Sequence, residues 1–360
     1  LWETAANAAA LARRVARPDL LLVGALLHDI GKGYTSGPEA IAADHTDAGI
    51  VVVDNVATRM GFSAEDVATL VAMVRHHLLL PDVATRRDLD DPLTVRTVAA
   101  TVGNRELLDL LAALTEADSL ATGPSAWGSW KAGLVEDLVA RTARRLDGHR
   151  SPEPPTLPRP SHRRLMVDRR LAVVPEGSQV TVVAPDRPGL FCRVAGTLAL
   201  HNLDVRAASA GSENGMAVEV FEVEPSFGRA PNWARFADDV ENVLSDRLSL
   251  DARLAELARA YASRRRVDAA WTAGARVLFD DGASATATVV EVRAPDGVGV
   301  LYRITRALAE CRLDLRTAKV ATLGHEVVDA FYVTEADGTN LDDPQRRAVV
   351  ERAVLEALAR

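Results

Sequence analysis

A repeat at an offset of 110 residues constrains the fold of this 360-residue chain more than any other feature. The segment VAPDRPG at 183–189 is echoed by RAPDGVG at 293–299, and the similarity continues without gaps over about 40 residues. Each copy predicts a strand, an Asp/Gly turn, a helix, two strands and a second helix, which is a split βαββαβ pattern. We therefore expect two similar units, each an antiparallel sheet with helices on one face.

The remainder of the chain has a different pattern. Residues 1 to about 148 predict only helices, because apolar residues recur there at spacings of three and four. The segment SPEPPTLPRP at 151–160 follows, and its five prolines exclude a helix interior. The fold class is therefore α+β, with predicted domains at 1–148 (helical), 149–176 (linker), 177–255 (first repeat), 256–284 (connector) and 285–360 (second repeat).

Charge, cysteine content and hydropathy exclude several classes of function for this chain. The net charge of −8 argues against a general nucleic-acid binder, which needs a basic face. Cys192 and Cys311 are far apart, which argues against a disulfide framework and fits a reducing cytoplasm. The longest apolar run, Leu20 to Leu27, is far shorter than the ~20 residues that span a bilayer. We therefore expect a cytoplasmic protein that binds neither nucleic acid nor membrane.

An imidazole and a carboxylate stand side by side where an apolar helix ends, since His28 and Asp29 directly follow LLLVGALL at 20–27. Burying an unpaired charge is costly, and a metal ion is the simplest partner for such a pair. Three further side chains, His45, His77 and Asp118, continue the apolar stripes of their own predicted helices. Taken singly, an inward histidine is more often a hydrogen-bonded core residue. Taken together, the five side chains predict a hydrolytic Mg, Mn, Fe or Zn site.

Several motifs together resemble a known family. The segments LLHDIGKG, DHTDAG, VRHHLL and LTEADSLAT resemble the HD-type phosphohydrolases. With RRDLDDP at 86–92, WGSWK at 127–131 and the two repeats, the chain resembles the C-terminal part of the bacterial bifunctional PII uridylyltransferase/uridylyl-removing enzymes. The resemblance implies an HD domain followed by two ferredoxin-like ACT domains that sense glutamine. It also implies Mg- or Mn-dependent hydrolysis of the nucleotidyl-tyrosine bond on the PII nitrogen-regulatory protein, which releases UMP or AMP.

The resemblance implies roles for residues around the predicted metal site. His28, Asp29 and Lys32 would be catalytic, with the Lys32 ammonium group neutralising phosphate charge. The alternative for Lys32 is a solvated lysine that the helix dipole favours. Arg86, Arg87 and Lys131 would contact the substrate or the partner protein, and the alternative for the two arginines is simple solvation.

The Asp/Gly turn of each repeat enters a helix N-terminus, where free N–H groups favour a carboxylate. Asp186 and Asp296 would therefore bind the amino group of an effector amino acid, and the backbone at Gly189 and Gly299 its carboxylate. The alternative is a plain strand-to-helix turn. Because Gly297 and Val298 replace an Arg-Pro pair of the first repeat, we expect that only one of the two turns binds a ligand.

The chain departs from the family pattern at its start. The nucleotidyltransferase domain of the family has no counterpart in the sequence, so we expect no transferase activity from this piece. The family pattern would place one more metal-binding histidine just before Leu1, which would leave the site one ligand short. Two other functions stay open, namely a different HD enzyme such as a (p)ppGpp hydrolase and a non-enzymatic amino-acid sensor. Edge-to-edge pairing of ACT domains would allow a homo-oligomer.

Overall fold

The computed structural model describes residues 1–35, 44–123, 127–149, 157–262, 274–323 and 326–359. The chain divides into two compact units, Leu1–Glu153 and Pro154–Arg360, which we term the helical unit and the sheet unit. An all-helical first part and a strand-rich second part confirm the α+β class. The helices of the helical unit are α1 (Trp2–Leu11), α2 (Pro18–Leu27), α3 (His45–Met60), α4 (Ala64–His76), α5 (Leu79–Arg86), α6 (Pro92–Val102), α7 (Arg105–Thr122) and α8 (Ser129–Leu146), with 3-10 helices at Ala12–Arg14 and Ile30–Tyr34.

Local signals set most of the helix starts in this unit. Pro18 opens α2, where its missing N–H costs nothing. The Asp44 side chain accepts hydrogen bonds from the first backbone N–H groups of α3, and Ser63 does the same for α4. Pro81 does not end the preceding helix. That helix ends earlier, at His76, and Pro81 lies in the first turn of α5, where proline is tolerated.

The apolar faces of α2, α4 and α7 form the centre of the helical unit. Their fully buried side chains include Leu20, Leu70 and Leu110. The stretch Ala64–Arg86, which comprises α4 and α5, is long and apolar enough to cross a membrane by length and composition alone. The core helix of a soluble protein meets the same criterion, and the turn between α4 and α5 divides this stretch.

The sheet unit contains both repeats in one continuous sheet. Among the described residues its strand order is β1-β2-β4-β3-β7-β9-β6-β5, with β8 beside β9, and every pairing is antiparallel. The elements are α9 (Pro160–Met166), β1 (Ala172–Glu176), β2 (Gln179–Pro185), α10 (Leu190–Leu200), β3 (Leu203–Glu213), β4 (Met216–Pro225), α11 (Trp233–Leu244), α12 (Leu250–Ala262), β5 (Arg276–Asp280), β6 (Thr288–Pro295), α13 (Val300–Glu310), β7 (Leu313–Lys319), β8 (Thr322–Leu323), β9 (Glu326–Glu335) and α14 (Pro344–Leu358).

The two repeats are related by a local pseudo-twofold axis. Strands β3 and β7 pair with Ala208 opposite Ala318, and these two residues are equivalent at the 110-residue offset. Phe221 and Phe331, also equivalent, are fully buried between the sheet and its helices. The core therefore carries the same internal symmetry as the sequence.

One strand of each repeat has an unexpected origin. The βαββαβ pattern places a fourth strand after the second helix, beside the first strand of the repeat. In the structure this position is taken by β1 or β5, each of which precedes the first strand and pairs with it. Strand β1 lies within residues 149–176 and β5 within 256–284, the segments that the sequence suggests as linker and connector.

Candidate functional site

Four elements of the helical unit bring three histidines and two carboxylates together. His28 and Asp29 follow the end of α2, His45 begins α3, and His77 follows α4. Asp118 reaches the same place from the inner face of α7, whose apolar stripe it continues. His77 is buried, as its position on an apolar stripe predicts, and so is His28 at the end of the apolar helix α2.

Asp29 lies at the centre of this cluster. Its Oδ1 atom is 3.8 Å from His77 Nε2 and 3.9 Å from His45 Nε2, and its Oδ2 atom is 3.5 Å from His28 Nε2. His28 Nε2 is also 3.1 Å from Asp118 Oδ1. One ligand atom from each of Asp29, His45 and His77 lies within 4.8 Å of the others, so a single ion can contact all three.

Backbone carbonyl groups fix the tautomer of the two buried histidines. Nδ1 of His28 lies 2.9 Å from the carbonyl oxygen of Ala25, and Nδ1 of His77 lies 2.7 Å from that of Val74. A carbonyl oxygen can only accept, so each Nδ1 carries a proton and donates it. In the neutral ring, Nε2 then presents a lone pair to the cluster, as a metal-binding histidine requires.

Two atoms of the cluster are buried without a well-formed hydrogen bond, namely Oδ1 of Asp29 and Nε2 of His28, whose close neighbour is Asp118 Oδ1 at 3.1 Å. Leaving such a polar atom unsatisfied costs about 1–3 kcal/mol. Both atoms are electron-pair donors on neighbouring residues, and a divalent cation would satisfy both at once. The chemistry of the donor set therefore fits a metal ion that prefers mixed nitrogen and oxygen ligands.

The two buried histidines have opposite pKa shifts. Burial lowers the pKa of both rings, and in His77 this effect prevails. In His28 the nearby Asp118 carboxylate and the Ala25 carbonyl outweigh burial and raise the pKa. His28 in turn lowers the pKa of Asp118. The Thr4 hydroxyl group donates to Asp118 over 3.3 Å, a contact between distant helices that no local sequence pattern signals.

A contact between two glycines places His45 beside Asp29. A Cβ atom on Gly31 would lie 1.8 Å from the His45 carbonyl oxygen and 2.4 Å from the Gly49 nitrogen. Only glycine therefore lets the 3-10 helix after Asp29 approach the first turn of α3 this closely.

Lys32 lies at the mouth of the cluster. Its Nζ atom is 2.5 Å from Asp29 Oδ2, and the side chain is largely exposed. The structure therefore joins Lys32 to the central carboxylate and leaves its ammonium group open to solvent.

The three residues expected to contact substrate lie on α5 and α8. Arg86 forms an ion pair with Asp82 at 3.4 Å. Arg87 is the C-cap of α5, and its backbone N–H donates to the carbonyl oxygen of Val83. Lys131 is half-buried. Burial lowers its pKa, whereas the negative charges of Asp82 and Asp118 raise it, and burial prevails. Lys131 is therefore coupled electrostatically to the cluster through Asp118, whereas Arg86 is paired with Asp82.

The Asp/Gly turns of the sheet unit have matching backbones. Gly189 precedes α10 with φ 76°, and Gly299 precedes α13 with φ 75°, both left-handed conformations that favour glycine. Asp186 and Asp296 are exposed in these turns. The structure thus gives both turns the same form at a helix N-terminus.

A buried acid lies in the sheet near each turn, and the sequence analysis missed both. Glu219 on β4 and Asp329 on β9 are equivalent at the 110-residue offset, which was the available signal. Burial raises the pKa of Glu219 well above its usual range, and the nearby charge of Asp186 adds to this shift. Burial likewise raises the pKa of Asp329 to about 8, although a hydrogen bond with the backbone of Ala321 acts in the opposite direction and lowers it.

Comparison with known proteins agrees with this architecture. A family model of the HD domain matches residues 1–123, and one of the ACT domain matches residues 178–228. The bifunctional uridylyltransferase/uridylyl-removing enzyme of Streptomyces coelicolor is 40% identical, covering 99% of this chain and 48% of that protein. The proteins of the same name from Mycobacterium tuberculosis (42% identical, 99% and 44% covered) and Azospirillum brasilense (33%, 94% and 41%) also match.

The chain spans about half the length, or somewhat less, of these curated relatives. The cluster of potential metal ligands lies within the residues matched as an HD domain, and the first Asp/Gly turn lies within those matched as an ACT domain. The chain therefore carries an HD domain followed by an ACT domain, and it resembles the C-terminal part of the bacterial bifunctional uridylyltransferase/uridylyl-removing enzymes.

Proposed function

We propose that the helical unit hydrolyses the nucleotidyl-tyrosine phosphodiester on a PII signalling protein. The observation that carries this proposal is the cluster around Asp29, with three ligand atoms within 4.8 Å of one another and a buried Asp29 Oδ1 atom that has no hydrogen-bond partner. The relatives that match the chain are named uridylyl-removing enzymes, which supports hydrolysis rather than a purely structural role. HD domains are metal-dependent, which fits the donor set.

The ligands in this proposal are His28, Asp29, His45, His77 and Asp118, and the ion is Mg or Mn. When bound, the ion supplies Lewis acidity that lowers the pKa of a water molecule and polarises phosphoryl oxygens. The side chains of His28 and His77 are almost fully buried, whereas that of His45 is 30% exposed. The Asp118 side chain is 34% exposed, so the substrate approaches from the side of His45 and Asp118.

Hydrolysis forms a bond from a water oxygen to phosphorus and breaks the bond from phosphorus to the tyrosyl oxygen. The tyrosyl oxygen takes up a proton, and the nucleotide leaves as UMP or AMP. Lys32 has its exposed ammonium group beside Asp29, where it would neutralise phosphate charge. Lys131 would add positive charge near Asp118, and Arg86 and Arg87 would contact the PII protein at the end of α5.

The sheet unit supplies the regulation in this proposal. Glutamine would bind at the Asp/Gly turns and favour one state of the protein, which couples effector and substrate. We place the protein in the cytoplasm, with the domain boundaries that the sequence suggests except that β1 joins the first repeat and β5 the second. Pairing of ACT domains is the route to a homo-oligomer in this proposal. The transferase activity in the name of the relatives is not assigned to these residues.

The direct test uses the intact chain with uridylylated PII and adenylylated PII. We expect Mn-dependent release of UMP or AMP, with a rate that changes when glutamine is added. Asp29→Asn should reduce release to background, while the matched control Asp47→Asn, an exposed carboxylate in the first turn of α3, should keep it. Hydrolysis of (p)ppGpp with no release from either PII form would contradict the proposal and favour the other HD enzyme.

A further inference from the structure

The sheet of the sheet unit has an outer strand at each end of its order, namely β1 and β5. Strand β1 pairs with β2, and β5 pairs with β6. Within the residues that the structure describes, neither strand pairs with another strand on its outer side. The backbone N–H and C=O groups along such an edge form a template for a strand from another molecule. The sequence of each edge strand decides whether it suits that role.

Strand β5 is self-complementary when two copies of it run antiparallel. Its five residues read RVLFD, with Leu278 at the centre. Pairing about Leu278 sets Arg276 opposite Asp280 of the second copy, and the twofold symmetry of the pair repeats this contact. The backbone N–H of Gly282 donates to the Asp280 carboxylate over 3.0 Å, which holds that carboxylate at the end of the strand. Opposite charges at directly opposed positions stabilise an antiparallel pair, so β5 supplies two ion pairs for one dimer.

The apolar residues of β5 match in the same register. Side chains alternate between the two faces of a strand, so Leu278 shares a face with the charged side chains. Leu278 is 50% exposed, and in the pair the two copies of it meet on the twofold axis and cover each other. Val277 and Phe279 pack against the helix-covered core, and the Arg347 guanidinium group lies 5.4 Å from the centre of the Phe279 ring. Val277 would face Phe279 of the second copy, which is an apolar pair.

Strand β1 at the other end of the sheet is not self-complementary. Pro175 has no N–H to donate to an added strand. Antiparallel pairing about Val174 would set Ala172 opposite Glu176 of the second copy, which leaves each carboxylate without an opposed cation. Pairing of β1 with β5 of another molecule is a heterologous contact, which extends into a ring or a filament and does not close a dimer. The two edges therefore differ, and β5 is the edge suited to a closed dimer.

We propose that two copies of this chain associate through β5, antiparallel and centred on Leu278, so that the sheets of both molecules join into one. This inference rests on the homo-oligomer of the proposed function and deepens it, since it names the edge, the register and the symmetry. A strand of five residues makes a small interface, so the dimer forms reversibly and depends on protein concentration.

The first test exchanges the opposed charges and measures self-association of the intact chain by sedimentation velocity, over about a hundredfold range of concentration. Arg276→Asp and Asp280→Arg should each weaken association at least about tenfold, because each sets like charges opposite each other at two places. The double variant restores opposite charges at both places and should associate within about threefold of the unmodified chain. It is the matched control, since it carries both substitutions.

The second test locates the twofold axis with a short bismaleimide crosslinker. Leu278→Cys should give covalent dimers, because directly opposed Cβ atoms of an antiparallel pair lie about 4.5–5.5 Å apart. Val174→Cys is the control on the other edge, where the side chain is 38% exposed, and should remain monomeric. Cys192 and Cys311 are buried, so the unmodified chain should not be crosslinked.

Three results would overturn the proposal: a monomer at every concentration, a folded double variant that associates as weakly as Arg276→Asp, or crosslinking through Val174→Cys but not through Leu278→Cys. Circular dichroism establishes whether each variant folds, and if Asp280→Arg does not, Arg276→Asp and the crosslinking decide the matter. Neither test needs PII or hydrolysis. A monomer that releases nucleotide from PII would therefore contradict this inference alone, and a dimer without that activity would contradict only the catalytic proposal.

Discussion

The helical unit and the sheet unit both bury ionisable side chains, but they balance them differently. In the helical unit, Asp29 and Asp118 lie within 4 Å of histidine nitrogens from other elements. In the sheet unit, Glu219 and Asp329 each lie alone, with an acidic residue as the charged neighbour that acts on them. Proximity of opposite charge lowers the pKa of an acid, whereas isolation raises it. The comparison indicates a preformed cluster of potential metal ligands in one unit and isolated buried carboxyl groups in the other.

The adjacent histidines His76 and His77 provide the most stringent test of the metal cluster proposed for the helical unit. His77→Ala should reduce Mn affinity by about 10–100-fold or more and abolish release of nucleotide from PII, because it removes a buried donor 3.8 Å from Asp29. His76→Ala should leave both nearly unchanged, because His76 is absent from the cluster of potential metal ligands that includes its neighbour. Titration with Mn followed by paramagnetic resonance, together with the release assay, measures both quantities. Equal effects of the two variants would show that the cluster is not the metal site.

The pair Gly31 and Gly33 tests whether the cluster is preformed by packing. Gly31→Ala should lower the free energy of unfolding by about 1–3 kcal/mol and weaken Mn binding, because the new methyl group would push α3 and His45 away from Asp29. Gly33→Ala is the control in the same 3-10 helix, since a Cβ atom there meets nothing within 4 Å. Chemical denaturation and Mn titration of both variants measure the two effects. If Gly31→Ala binds Mn as the unmodified chain does, close packing at this point does not position the ligand.

The same contrast explains how far the sequence predicted the structure. Helical spacing placed His77 and Asp118 on inward faces, and the 110-residue repeat predicted matching strands and turns, because these features depend on local periodicity. The contact of Gly31 with α3 and the hydrogen bond from Thr4 to Asp118 join segments that are distant in sequence, and no periodicity reports them. Strand β1 was missed because it is short, contains Pro175 and is mostly exposed, so its hydrophobic signal is weak.

The pH dependence of stability tests the contrast between the two units most directly. Asp329 has a pKa of about 8 in the folded chain, against about 3.9 when unfolded. Between these values the folded state binds more protons, so its stability is greatest at low pH and falls as the pH rises toward 8. Asp329→Asn removes this loss and should raise Tm by a few degrees more at pH 8 than at pH 5. Glu219→Gln should act in the same direction, because burial raises the pKa of Glu219 as well.

The pH dependence that Asp118 contributes to stability has the opposite sign. His28 lowers the pKa of Asp118, so the stabilisation is lost only as the pH falls through that lowered value. Thermal unfolding of Asp329→Asn, Glu219→Gln and Asp118→Asn across pH 2–8 therefore separates the two ways of burying an acid. A Tm gain for Asp329→Asn that does not grow with pH would mean that Asp329 is already ionised and paired in the folded chain. The two units would then not differ in how they accommodate a buried acid.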